Sequence, residues 1–177
     1  MSKSDTGRKA RRNGAELEKR VARDLRAWLG DEWTVSRLKT SYQAGAGGEF
    51  EIAFSDPGGL LEHTGQVPIF PVAIECKRDA RFKTDQLWKP GVGAFFRSAW
   101  SQAVEQAEAV GKRPWLVLRE PPRGPVLLVM RWDDWPALRC VSEWPYPLLR
   151  LPDLGVVVLP WSAFLEAVPA SALAELS

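Results

Sequence analysis

Glu75 and Lys77 are the residues whose types and spacing suggest chemistry most directly. The sequence pattern predicts a short apolar strand over residues 72–77, and alternation along it places these two side chains on one face and Cys76 on the other. An ammonium group beside a carboxylate suits phosphodiester hydrolysis, in which positive charge stabilises the phosphate oxygens of the transition state. The alternative is a surface salt bridge, because a Glu-x-Lys tripeptide is by itself a weak motif.

Carboxylates earlier in the chain extend this pair. Glu16 and Glu18 lie in the first predicted helix, and Glu49 and Glu51 lie at the strand that follows it. Mg²⁺ prefers six oxygen ligands and keeps waters among them, so three convergent carboxylates predict a magnesium site. In such a site, Lys77 would help to position and activate a metal-bound water.

The composition removes several other classes of function. One histidine and two cysteines are too few for a disulfide framework, a four-thiolate zinc site or imidazole clusters, which disfavours most zinc enzymes, Ser-His-Asp hydrolases and histidine nucleases. No run of eighteen apolar residues occurs, and no apolar core follows the basic N-terminus. We therefore expect a soluble, cytoplasmic protein without a membrane partner.

The net charge of +2 hides two basic segments. Residues 1–29 hold nine Lys and Arg against four Asp and Glu, residues 77–97 hold six against two, and the remainder therefore carries −7. A single basic segment is equally well explained as a solvated helix. Two basic segments in an otherwise acidic protein predict a surface that binds a polyanion, and nucleic acid is the commonest polyanion. Residues 1–13 lack apolar anchors and predict a flexible basic arm that orders on DNA.

Hydrophobic periodicity predicts a mixed α/β domain. The predicted elements are a helix from Ala15 to Gly30, strands over 33–38, 50–54 and 72–77, a helix from Ser98 to Gly111, and strands over 115–118 and 126–131. The basic and aromatic segment 78–97 predicts an irregular loop that orders on the substrate. We expect one domain over residues 14–177, with a core over about 14–131 and a C-terminal extension over 132–177.

Several short motifs occur in the order and spacing of a known family. They are residues 13–18 (NGAELE) opening a helix, 35–37 (VSR), Ser41 before a glycine-rich loop, 51–53 (EIA) and 73–77 (AIECK). Together they resemble an archaeal-type Holliday junction resolvase of the PD-(D/E)XK nuclease superfamily, over about residues 8–120. The resemblance implies a mixed central sheet flanked by helices, and a homodimer that resolves four-way DNA junctions with Mg²⁺, for which Mn²⁺ substitutes.

The resemblance also implies roles for individual residues. The catalytic residues would be Glu18, Glu51, Glu75 and Lys77, and the metal ligands would be Glu51, Glu75 and the carbonyl oxygen of Cys76. With the basic arm included, the expected DNA-binding residues are Arg8, Lys9, Arg11, Arg12, Lys19, Arg37, Lys39, Ser41 and Arg78.

Two positions depart from the family pattern. Glu51 stands where the family has an aspartate, and Lys19 stands where an arginine often follows the helix glutamate. Either the metal shifts outward to suit the longer Glu51, or Glu49 shares the ligand role. Two other functions stay open: a restriction-type or general endonuclease of the same superfamily, and a branched-DNA-binding protein without cleavage activity.

Overall fold

A computed structural model describes residues 3–37, 50–54, 69–89, 93–139 and 144–176. Side chains are described from residue 15 onward within those ranges, except that of Phe54. The helices are α1 (Lys3–Leu29), α2 (Ala94–Glu108), α3 (Trp135–Leu138) and α4 (Trp161–Ala167), and the strands are β1 (Trp33–Arg37), β2 (Phe50–Phe54), β3 (Val72–Arg78), β4 (Arg113–Arg119), β5 (Val126–Arg131), β6 (Leu149–Leu151) and β7 (Val156–Pro160).

The strands form a five-stranded mixed sheet and a separate two-stranded hairpin. The order in the larger sheet is β3-β4-β5-β7-β6, with β3 and β4 parallel and the other neighbours antiparallel. The hairpin pairs β1 with β2 and contacts α1. This architecture confirms the predicted α/β class with a mixed sheet flanked by helices.

The larger sheet is buried on both faces. Ile74 and Cys76 of β3 belong to a cluster that includes α1 and Trp115, whereas Leu116, the register partner of Glu75, packs with α2 on the opposite face. Because side chains alternate along a strand, Glu75 and Lys77 lie on the α2 face. The alternation expected of this strand is therefore confirmed.

Helix α1 differs from its prediction at one end. It ends at Leu29 as expected, and Gly30 adopts a left-handed φ of 77°, which closes helices readily. Its backbone is already helical from Lys3, so the helix start predicted near Asn13 is wrong, while the flexibility of the arm over residues 1–13 stays a prediction. Arg, Lys and Ala are good helix formers and no proline interrupts residues 3–13, so the helix extends towards the N-terminus from its buried turns.

The segment 78–97 is more regular than predicted. A 3₁₀ helix spans Thr84–Trp88, and α2 begins at Ala94, so Ser98 lies inside the helix and is not its cap. Phe82 and Leu87 are buried, and their burial fixes a segment whose charges suggested a loop.

Residues beyond 131 complete the sheet. Strand β7 lies between β5 and β6, and α4 buries Trp161 and Phe164 in the core. In the described part of the chain, no helix is both long and apolar enough to cross a lipid bilayer.

Candidate active site at the end of strand β3

The Glu75 carboxylate is buried in the sheet, with 2% of the residue exposed. Its Oε1 atom forms an ion pair with the Lys77 ammonium group, whose side chain is 27% exposed and reaches the surface. The Oε2 atom is buried and has no hydrogen-bond partner among the described residues. Burial raises the pKa of Glu75, the Lys77 contact opposes this rise, and the carboxylate of Glu18 adds to it.

Glu18 of α1 lies within electrostatic range of Glu75. Leu17 and Val21 are fully buried and fix the orientation of this helix face. The Glu18 carboxylate accepts a hydrogen bond from Arg37 Nε of β1 at 3.0 Å and forms an ion pair with the same guanidinium group. Since its charge raises the pKa of Glu75, the predicted helix carboxylate and the predicted strand carboxylate lie within electrostatic range of each other.

Glu51 has a different placement. It is exposed in β2 and is the direct cross-strand partner of Ser36, which is also exposed. Its neighbour Phe50 is buried, so alternation turns the Glu51 side chain away from the core. Among the described residues, no group of three or more His, Cys, Asp or Glu could hold a metal ion, so the expected convergence of three carboxylates is not present there. Glu49 lies outside the described residues.

The described residues nevertheless fit a divalent cation held by few protein ligands. The unpartnered Glu75 Oε2 is a buried anionic oxygen, and such an atom is costly unless a cation or a donor satisfies it. Mg²⁺ commonly binds through one or two carboxylates, with waters and substrate phosphate filling its other positions. Glu75 is the described carboxylate that would hold it, and the resemblance adds the Cys76 carbonyl oxygen.

Arginines at the ends of β3 and β4 were only partly predicted. Arg78 contacts the Glu16 carboxylate through Nη1 and the Pro122 carbonyl oxygen through Nη2. Arg119, its register partner in β4, donates from Nε to the Gly124 carbonyl oxygen at 3.3 Å. The sequence signal for Arg119 was a cation at the end of an apolar strand. This signal places Arg119 beside Arg78 only when the parallel pairing of β3 and β4 is known.

The remaining predicted DNA contacts divide into two groups. Lys19 is exposed on α1, next to Glu18. The predicted contacts that lie outside the described residues or side chains are Arg8, Lys9, Arg11, Arg12, Lys39 and Ser41.

The segment after β3 mixes paired cations with aromatic rings. Phe96 is buried, and Phe95 lies under the Arg81 guanidinium, whose carbon is 4.9 Å from the ring centroid. Trp88 is the exception, because 67% of it is exposed. Lys83 forms an ion pair with Glu120 at 3.0 Å.

Comparison with known proteins gives one match. A family model described as "Phage putative PDDEXK endonuclease" matches residues 9–139. No curated protein and no solved structure matches the chain. The matched range contains α1 from residue 9 onward, the strand that carries Glu75 and Lys77, α2 and β4.

Proposed function

The chain belongs to the phage PDDEXK endonuclease family, and we propose that Glu75 and Lys77 form the catalytic centre of a divalent-metal-dependent DNA endonuclease. The observation that carries this proposal is the buried Glu75 carboxylate in contact with Lys77, with one oxygen unpartnered. Nucleases of this superfamily generally use divalent metal ions, and we propose Mg²⁺, with Mn²⁺ as a substitute. We also propose that the protein acts inside the cell.

The proposed reaction is hydrolysis of a phosphodiester. A water oxygen attacks phosphorus, the bond from phosphorus to the leaving sugar oxygen breaks, and that oxygen takes up a proton. A bound divalent cation would supply positive charge to the phosphate oxygens and lower the pKa of the attacking water. The Lys77 ammonium group places a further positive charge beside the phosphate, where negative charge grows most in the transition state.

The neighbouring residues hold this group in position. Glu75 Oε1 orients the Lys77 amine from a buried strand position, so little side-chain freedom remains to be lost when DNA binds. Arg37 donates a hydrogen bond to the Glu18 carboxylate and so connects the β1-β2 hairpin to α1, while the charge of Glu18 acts on Glu75. In this proposal, Glu18 is a further catalytic carboxylate beside Glu75, and Arg37 also contacts the substrate.

The resemblance to junction resolvases adds a finer proposal, a homodimer that cuts four-way junctions. Its support is the order of the sequence motifs and the basic segments, which suit a branched phosphate backbone. A general DNA endonuclease is the second candidate, favoured by a family description that names an endonuclease and no branched substrate. Glu51 is proposed as a metal ligand on the resemblance alone.

The test compares cleavage of a labelled four-way junction and a linear duplex of the same arm sequence, with Mg²⁺, Mn²⁺ or EDTA. We expect products with either metal, none with EDTA, and a rate lowered about 100-fold or more in Lys77→Ala. Lys112→Ala is the matched control. Lys112 is also a half-buried lysine, but it directly precedes the first residue of β4, whereas Lys77 lies beside the last residues of that strand.

Each outcome decides one part of the proposal. Products in EDTA, or equal rates in Lys77→Ala and Lys112→Ala, would overturn the proposed centre. Preference for the junction supports the resolvase, and equal cutting of both substrates supports the general endonuclease. Tight junction binding without products at any metal concentration would instead identify a DNA-binding module that does not cleave.

A further inference from the structure

Three arginines from three elements lie near one another beside the end of the proposed catalytic strand, and one of them contacts a carboxylate. We call Arg20 of α1, Arg78 of β3 and Arg119 of β4 the arginine cluster. Arg78 contacts the Glu16 carboxylate directly. The charges of Arg78, Arg20 and Glu16 all act on the Arg119 guanidinium, so each of the three lies within electrostatic range of Arg119.

The backbone explains why these side chains meet. Arg78 and Arg119 are register partners in the parallel pair of β3 and β4, and both are the last residues of their strands. Parallel strands end at the same edge of a sheet, so both arginines lie at the edge where Lys77 lies, and alternation places them on the α1 face while Lys77 lies on the α2 face. Arg20 lies four residues after Glu16, one turn further along the same face of α1.

Within this group of four side chains, one carboxylate accompanies three guanidinium groups, and Glu16 itself is 57% exposed. Arg20 forms an ion pair with Asp24 at 3.5 Å, and Asp24 also forms an ion pair with Arg23. Among the described residues, the buried Nε atom of Arg20 has no hydrogen-bond partner. Burial and the charges of Arg78 and Arg20 lower the pKa of Arg119, as expected where like charges are held together.

We infer that the arginine cluster binds a DNA backbone phosphate neighbouring the one cut at Lys77, and that Glu16 occupies this place in the DNA-free protein. The inference rests on the proposed function for its ligand. Arginine suits the role because its planar fork makes paired hydrogen bonds to phosphate oxygens. An exposed carboxylate on the same guanidinium groups is an anionic competitor that the phosphate must displace.

The two signs of charge therefore predict opposite effects. Arg119→Gln should weaken binding of a labelled duplex in EDTA, and it should reduce the slope of log affinity against log salt by about one. Glu16→Gln should strengthen binding about fivefold at low salt, the scale of one exposed ion pair. EDTA is used so that binding is measured without cleavage.

The chain offers a matched control for each change. Glu108 is 61% exposed and forms an ion pair with Arg131 at 2.8 Å, but it lies at the opposite end of the sheet from Arg78. Arg150 is exposed on β6, the strand at the far edge of the sheet from β3. Glu108→Gln and Arg150→Gln should leave the affinity and the salt slope close to those of the wild type.

The outcomes separate this inference from the proposed function. Equal gains in Glu16→Gln and Glu108→Gln, or equal losses in Arg119→Gln and Arg150→Gln, would overturn the inference as a general effect of net charge, whether or not the chain cleaves DNA. The expected pattern in a chain that never cleaves would support the phosphate site and overturn the endonuclease. If Arg119→Gln fails to fold, Arg119→Lys keeps the charge, loses the fork, and should show a weaker loss of affinity; wild-type affinity in that variant would count against the inference.

Discussion

The Glu75 carboxylate contacts the Lys77 ammonium group through Oε1, while its buried Oε2 atom has no hydrogen-bond partner in the part of the chain that the structure describes. An ordinary salt bridge would leave the second oxygen to water. Here burial withholds water from it and raises the pKa of the group. The arrangement is therefore incomplete as a structural ion pair and suits a cation as the missing partner.

Glu75→Gln tests that missing partner without DNA. In wild-type protein we expect Mg²⁺ at several times its dissociation constant to stabilise the fold on the order of 1 kcal/mol, which raises Tm by about 2–4 °C. In Glu75→Gln this rise should vanish, because the amide lacks the charge that binds the metal. Without metal, the variant should be at least as stable as the wild type, since the substitution removes a buried carboxylate with a raised pKa. Thermal unfolding with and without Mg²⁺ measures both effects.

Glu108→Gln is the control for this experiment. Glu108 is an exposed carboxylate with an arginine partner, and its loss should leave the Mg²⁺ effect unchanged. A Mg²⁺ shift that survives in Glu75→Gln would show that the cation binds elsewhere.

Glu51→Gln tests a residue that the resemblance makes a metal ligand but whose side chain is exposed on β2. The resemblance predicts that cleavage is lost, as expected for a metal ligand, and that Glu51→Asp, which restores the family residue, remains active. Because the side chain is exposed, both variants should unfold within about 0.5 kcal/mol of the wild type. Cleavage rates and denaturant unfolding measure the two effects separately. Full cleavage by Glu51→Gln would mean that the metal is held without this carboxylate.

The β3 part of the site could be predicted from the sequence because its pattern is local. Alternation alone places Glu75 and Lys77 on one face, and a family motif covers both residues. Leu29 and Gly30 likewise mark a helix end through the left-handed φ that glycine accepts. Such features depend on near neighbours in the chain, so they survive into the fold.

Features that depend on pairing between distant segments could not be predicted in this way. The meeting of Arg78 with Arg119 requires the parallel register of β3 and β4. The outward orientation of Glu51 requires its pairing with Ser36. The start of α1 at Lys3 had a different cause, since a charged segment without apolar anchors was interpreted as an arm although its residues favour helix.

Cys76→Ala tests the proposal that Cys76 contributes its carbonyl oxygen and not its thiol. The side chain is buried on the α1 face of the sheet, opposite Glu75. We expect cleavage within a few-fold of the wild type and a loss of unfolding free energy on the order of 1 kcal/mol from the small cavity. Cleavage assays and denaturant unfolding of the same preparation measure the activity and the unfolding free energy. A folded Cys76→Ala protein without activity would contradict the assignment and give the thiol a direct role.

Asp134→Asn tests a buried carboxylate at the opposite end of the sheet from the proposed site. Asp134 is 3% exposed; its Oδ1 atom accepts a hydrogen bond from Arg113 at 3.2 Å, and its Oδ2 atom is buried without a hydrogen-bond partner. Burial raises its pKa above the ordinary 3.8, the charges of Arg113 and Arg131 oppose the rise, and Asp133 adds to it. The folded state therefore holds this proton more tightly than the unfolded state does.

Between the ordinary pKa and the raised one, the folded state binds more protons, so this carboxyl group lowers stability as the pH rises. An asparagine does not titrate. The unfolding free energy of Asp134→Asn minus that of the wild type should therefore increase from acidic towards neutral pH, whatever constant amount the loss of the Arg113 ion pair adds. Denaturant unfolding at a series of pH values measures this difference. Asp153→Asn, at an exposed carboxylate, is the control for replacing an aspartate by an asparagine. A flat difference for Asp134→Asn would mean that Arg113 and Arg131 together compensate its burial.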